Sequence, residues 1–205
     1  MNYTIRPTTV RDAEALLAIY APYVTGTAIT FEYTVPTAAE FAQRIERITS
    51  RYPYLTACDA ATGKPLGYTY AHPYGEREAY AWSAEASIYL SPDARGHGLG
   101  RALYAALEDA LKAMHIQNLY ALVACSDRDD AYLTQNSAQF HEHLGFTRVG
   151  LMKNCGSKFG FWYHIATYEK MLGAHEKNPQ PVAAWNGSAR RAICGAATHL
   201  CAESL

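Results

Sequence analysis

Residues 91–111 read SPDARGHGLGRALYAALEDAL. Gly96, Gly98 and Gly100 alternate with other residues and give way at once to a helical repeat of Leu99, Leu103, Ala106, Leu107, Ala110 and Leu111. The run AYAWSAEASIYL just before them alternates like a strand through Ala84, Ala86, Ile88 and Leu90. A strand, a glycine loop and a helix N-terminus in succession suit an anion. The first turn of a helix leaves N–H groups unpaired and carries partial positive charge, and glycines let a ligand come close to it. Arg95 adds a fixed cation at the mouth. Two familiar phosphate loops do not fit. No Lys follows these glycines as GxxxxGK[ST] demands, and GxGxG at mid-chain is not the GxGxxG that opens a dinucleotide-binding unit. Taken alone, the loop leaves both a phosphate cradle and a turn needing positive φ open.

Outward from that loop, the periodicities predict further elements. YTIRP is a short strand ended by Pro7. Thr9 with Asp12 and Thr37 with Glu40 have capping-box spacing, opening helices with stripes Ala13, Leu16, Leu17, Tyr20 and Phe41, Ile45, Ile48. YLTACDA and PLGYTYAHP read as strands about the turn ATGK, and NLYALVACS as another. NSAQFHEHLGF reads as a short helix capped by Asn136 and ended by Gly145. TRVGLMK and FGFWYHIATYEKML close the pattern as an antiparallel pair around a turn near Gly156 to Gly160. The order β-α-α-β-β-β-α-β-α-β-β predicts one mixed α/β (α+β) domain over residues 1–172. No period is sustained in 173–205, which predicts a flexible C-terminal tail.

Composition narrows the function. The 205 residues suffice for one sizeable core, 49% are hydrophobic, and 16 Tyr, 6 Phe and 3 Trp make it aromatic. A formal charge of −1 predicts no nucleic-acid or membrane-surface partner. No apolar run is long enough for a membrane helix, and the charged start MNYTIRPTTVRDAE lacks a secretory signal, so a cytoplasmic location is expected. Cys58, Cys125, Cys155, Cys194 and Cys201 show no CxxC spacing and read as free thiols. Cys194 and Cys201 around His199 lack ligand spacing, and no metal is expected.

Several motifs in one order resemble a known family. Arg95-Gly96-His97-Gly98-Leu99-Gly100 matches the [QR]-x-x-G-x-[GA] loop of GNAT-type N-acetyltransferases, and Asn136 to Phe146 matches their later N-x-x-A-x-x-x-[YH]-x-x-x-G-F. IYAPYV, TFEYTVPT, YPYL, EASIYL and GSKFGFWYHIATYEKML look most like the phosphinothricin and methionine sulfoximine N-acetyltransferase branch, over about residues 2 to 172. The resemblance implies a mostly antiparallel twisted sheet flanked by helices, with central strands splayed to hold acetyl-CoA, in a homodimer. It implies that Arg95, Gly96, His97, Gly98, Leu99, Gly100 and Arg101 grip the pyrophosphate. It also implies that the backbone of Ile88, Tyr89 and Leu90 pairs with pantetheine and polarises the thioester carbonyl, and that Asn136 contacts the cofactor, caps its helix, or does both.

For catalysis, an amine of pKa near 10 is less than about 0.1% neutral at pH 7, so a base is required. Glu85 breaks an apolar strand at the position where the family has such a base; the alternative is a solvated residue on the polar side of the strand. His141 stands where relatives place the acid that protonates the leaving thiolate, the alternative being a satisfied core residue. Phe31, Glu32 and Arg77, with Glu85, are the residues expected around the acceptor, Arg77 as partner of a carboxylate. Gly75 and Ala81 stand where relatives often carry Arg, and His164 where they carry an acidic residue or Asn; these departures bear on acceptor identity. The expected activity is acetyl transfer from acetyl-CoA to the amine of a small amino acid or analogue. The alternatives are a peptide N-terminus or polyamine as acceptor, and a non-catalytic acyl-CoA sensor, against which Glu85 argues.

Overall fold

A computed structural model of the chain describes residues 2–127 and 130–185. Its strands are β1 (Tyr3–Pro7), β2 (Tyr54–Asp59), β3 (Pro65–Pro73), β4 (Ser83–Leu90), β5 (Asn118–Cys125), β6 (Thr147–Lys158) and β7 (Phe161–Met171). They form one open sheet in the order β1-β2-β3-β4-β5-β7-β6. Every neighbouring pair is antiparallel except β4 and β5. The helices are α1 (Ala13–Gly26), α2 (Ala38–Thr49), α3 (Leu99–Ala113) and α4 (Asn136–His143).

Alternation along the strands decides which helix covers which face. Leu55 and Ala57 of β2, Ala71 of β3, and Ala84 and Ala86 of β4 share one cluster with Leu99, Leu103, Leu107 and Leu111 of α3. Tyr54 and Tyr68 point the other way and meet Leu16, Tyr20 and Tyr23 of α1 and Phe41 and Ile45 of α2. Both predicted capping boxes close. Asp12 accepts from the Thr9 amide at 2.8 Å; Glu40 accepts from the Thr37 amide at 2.7 Å and its own amide donates to the Thr37 hydroxyl at 3.2 Å.

Two boundaries differ from the sequence expectation. Asn136 is the first residue of α4 rather than its cap, which is Gln135; Asn136 is exposed, and its amide reaches the Thr134 hydroxyl at 3.5 Å. Gly145, at φ 85°, does follow the helix end as expected. The segment after Leu172 has no periodicity, yet through Trp185 it lies against the domain. The Ala183 amide donates to Met114 O, the Trp82 indole to Gln180 O at 2.8 Å, and Trp185 is buried in the α3-side core. Short-range pattern missed this because a single anchoring side chain needs no repeat. Trp185→Ala is expected to cost about 3 kcal/mol in urea unfolding, as for other buried aromatic truncations. A stability unchanged within about 0.5 kcal/mol, the surface-substitution range, would contradict that docking. Cys194, His199 and Cys201 lie outside the described residues.

Candidate active site

β4 and β5 pair only over Ser83–Glu85 and Asn118–Tyr120, after which Ala86–Leu90 and Ala121–Cys125 diverge. Below the fork, the amides of Gln117 and Asn118 both donate to Trp82 O and hold its base. The fork encloses a crevice of ≈ 60 Å³ walled by Ala86, Ile88, Ala121 and Val123, with Tyr104 and His141 behind them. Ser91 N–H donates to Leu66 O on β3. By antiparallel alternation, the backbone groups of Leu90, Ile88 and Ala86 therefore face the fork.

The glycine loop stands at its mouth. Gly96 and Gly98 have φ of 78° and 75°, a conformation that side chains disfavour, and a Cβ on either would meet no other atom within 4 Å. Gly98 is the N-cap of α3, whose first rung runs from Ala102 N–H to Gly98 O. The amides of residues 96–101 have no acceptor among the described residues. Gly100 serves a different purpose: a Cβ there would lie 2.9 Å from the Phe140 ring, so its absence lets α4 approach α3.

Arg95 and Leu90 are engaged by a residue not anticipated from sequence. The Tyr23 hydroxyl donates to Leu90 O at 2.6 Å and accepts from Leu90 N–H at 3.1 Å and Arg95 Nη2 at 2.9 Å. That fills the hydrogen-bonding capacity of one hydroxyl. The Arg95 guanidinium also lies 5.3 Å over the Tyr23 ring. Of the strand residues expected to pair with pantetheine, Leu90 thus has its groups occupied, and the Tyr89 side chain lies in the tyrosine cluster of the other face, 4.8 Å from Tyr20 between ring centroids.

Glu85 is the last β4 residue paired with β5 and lies opposite His72 of β3. Its Oε1 is 3.6 Å from His72 Nε2, while His72 Nδ1 donates to Pro73 O at 3.0 Å. Burial alone would lower the His72 pKa; the neighbouring carboxylate outweighs it, leaving the ring above its ordinary value. His72 lines an open cleft of ≈ 1440 Å³ between α2 and the β2–β3 face, together with Glu32, Arg44, Arg47 and Arg77. Glu85 thus stands between the cleft, through His72, and the crevice, through Ala86.

The expected acceptor residues divide. Glu32 and Arg77 share the cleft, where Arg44 Nη1 donates to Glu32 at 2.6 Å. Phe31 turns instead toward β6 and β7, covering Gly156, where no Cβ fits beneath it, and lying 6.4 Å from the Tyr163 ring. Lys158, 2% exposed, fastens this loop by donating to Thr27 O and Thr30 O at 2.8 and 2.7 Å. A Cβ at Gly75 would lie 2.8 Å from the Tyr80 ring, so any side chain there displaces that tyrosine.

His141 is 4% exposed and held at both nitrogens: Nδ1 donates to Ser137 O at 2.7 Å, which leaves Nε2 to accept from the Tyr104 hydroxyl at 2.9 Å. Burial lowers its pKa, so the neutral ring prevails. Tyr104 stands one position beyond the Leu103 of the helical stripe; the sequence signal was an aromatic four before Glu108 on a buried helix face. His164 accepts from the Asn154 amide and lies 3.4 Å from Asp127. Among the described residues, no group of three or more His, Cys, Asp or Glu has metal-site geometry, and no helix is long and apolar enough to cross a membrane.

The chain is similar to known proteins in sequence and fold. The GNAT acetyltransferase domain profile matches residues 5–166. A phosphinothricin N-acetyltransferase from Streptomyces coelicolor is 35% identical over 170 residues, 82% of this chain and 95% of that protein. An L-methionine sulfoximine/L-methionine sulfone acetyltransferase from Pseudomonas paraeruginosa is 37% identical over 180 residues, 87% of this chain and all of that protein. The crystal structure of a Sinorhizobium meliloti phosphinothricin acetyltransferase in complex with acetyl-CoA superposes with a TM-score of 0.78 at 33% identity, covering 91% of this chain and 100% of that one.

Proposed function

The chain belongs to the GNAT acetyltransferase family, and from that premise we propose that it transfers an acetyl group from acetyl-CoA to the primary amine of a small amino acid or analogue, directly in a ternary complex. One observation carries the proposal. Uncommitted amides at the front of α3 stand at the mouth of a fork whose closed end is Glu85, the last β4 residue paired with β5. The residues fit a diphosphate there: two left-handed glycines expose N–H groups, and Arg95 is near enough to exchange Tyr23 for an anion. Residues 95–101 would hold the diphosphate, and the fork-facing backbone of Ile88 the pantetheine, with Leu90 joining if Tyr23 yields. Exposed Asn136 would meet the cofactor from α4. Acetyl-CoA supplies the acetyl group, activated as a thioester.

The chain's own residues manage protons and position. Glu85 removes the proton of the acceptor ammonium. Tyr104 and His141 face the crevice as a hydrogen-bonded pair. The Tyr104 hydroxyl can give its proton to a departing thiolate and regain one from solvent, while His141, whose Nε2 accepts from that hydroxyl, positions it and donates no proton itself. Arg77 pairs with the acceptor carboxylate, Glu32 anchors Arg44 in the same cleft, and Phe31 shapes the loop beside it. The same reading carries a cytoplasmic location and a homodimer, the latter supported by exposed Val149, Met152 and Trp162 on β6 and β7.

The cleft favours a second reading. At ≈ 1440 Å³ it exceeds the roughly 300–1,000 Å³ typical of small-ligand sites, which suits a peptide N-terminus or polyamine. Calorimetry with acetyl-CoA, followed by CoA thiol release across L-methionine sulfoximine, L-phosphinothricin, spermidine and a short peptide, separates these. Turnover with the amino-acid analogues is the expected result. Turnover only with spermidine or peptide would favour the second reading, and binding without turnover of any amine would leave a sensor.

A further inference from the structure

His72 is a titratable group of the cleft lining that stands directly against Glu85. The two residues are direct cross-strand partners, so their side chains share a face and their spacing is set by the β3–β4 ladder. Within the pair the His72 side chain is the more open, at 35% exposure against 19% for Glu85. Its Nδ1 proton is committed to Pro73 O, which fixes the tautomer and turns Nε2 toward Glu85. At 3.6 Å the contact is longer than a hydrogen bond, and a small rotation of either side chain closes it. The charged and titratable groups around the ring are Glu85 from β4, Tyr70 from β3 at 6.1 Å between centroids, and Arg47 from α2, with Glu76 and Arg77 across the cleft.

Resting on the N-acetyltransferase reading, we propose that His72 is the proton relay between Glu85 and solvent, a positioning and proton-transfer residue acting through Glu85. The balance is simple. The acceptor ammonium gives one proton to the Glu85 carboxylate and becomes a neutral amine. Glu85 passes that proton to neutral His72 at Nε2 and returns to carboxylate. The imidazolium releases the proton to water in the cleft, restoring the neutral ring. Nothing is oxidised or reduced, and each turnover exports one proton. A half-buried carboxylic acid without such an outlet must wait for water to reach it.

His72→Gln keeps a polar side chain of similar reach but cannot carry the proton. With L-methionine sulfoximine or L-phosphinothricin as acceptor, it is expected to lower kcat roughly tenfold, at the weak end of general acid–base effects, with both KM values within about twofold. The acid limb of its kcat/KM profile moves to lower pH, since a group that must be neutral has gone. Imidazole added to His72→Ala restores part of kcat. Independently of turnover, the His72 ring signal in NMR, identified by its loss in His72→Gln, titrates above a free histidine in wild type and falls in Glu85→Gln. A Gln variant with wild-type kcat, an unmoved acid limb, or a loss confined to KM overturns the relay while wild type still turns over. Absence of wild-type turnover with every amine defeats the underlying reading and the relay with it.

Discussion

Glu85→Gln is expected to lower kcat by about 10²–10⁴-fold, the usual range for a positioned acid–base group. The substitution preserves size and one hydrogen-bond acceptor, so the β4 ladder around it, with Ala84 and Ala86 buried on the opposite face, has no reason to change. What it removes is a carboxylate that the β3–β4 and β4–β5 pairings place at the base of the fork, opposite His72 of the cleft. The size follows from the substrate: with less than about 0.1% of the amine neutral at pH 7, an enzyme without a base is confined to that fraction. The loss should therefore shrink as assay pH approaches the amine pKa, while the KM for acetyl-CoA stays near wild type. Measurements of kcat from pH 6 to 10 check this. A fall smaller than tenfold across that range would reduce Glu85 to a packing or hydrogen-bonding role.

Gly98→Val should raise the KM for acetyl-CoA by about ten- to a hundredfold and leave kcat at saturation within a few-fold. Gly98 holds φ of 75°, where a β-branched residue costs on the order of 1–3 kcal/mol, and 1.4 kcal/mol is a factor of about ten. The new side chain has room in the free protein, since a Cβ meets nothing within 4 Å. The effect therefore comes from relaxation of the loop away from its left-handed turn and from crowding of whatever anion approaches the amides. Calorimetric titration with acetyl-CoA gives the same quantity without turnover. Unchanged affinity in a folded variant would mean that the loop does not grip the diphosphate.

Much of the fold was legible because local patterns report local conformation. The leucines of α3, both capping boxes, the alternation of β3 and β4, and the left-handed turns at Gly96 and Gly98 all depend on neighbours within a few residues. The glycine loop and Glu85 stood out as candidates for the same reason, as motif and as an interruption of an apolar strand. His72, Tyr23 and Tyr104 were not. Each looked like another aromatic or polar residue on an ordinary helix or strand, and makes its contact with a partner 13, 67 or 37 positions away. Asn136 shows the limit at short range: a residue that favours caps stands one place inside the helix, because Thr134 and Gln135 turn the chain first.

By itself, then, the sequence determined the order of elements, the side chains each turns toward the core, and a loop whose backbone must be bare. Tertiary structure alone decided the strand register that sets His72 against Glu85, the fork between β4 and β5, the Tyr23 hydroxyl on Leu90, and the docking of Trp185. The physical reason is one of range. Helical and strand periodicities are written by contacts along the chain, whereas register, divergence and docking are settled only when distant apolar faces compete for the same buried surface.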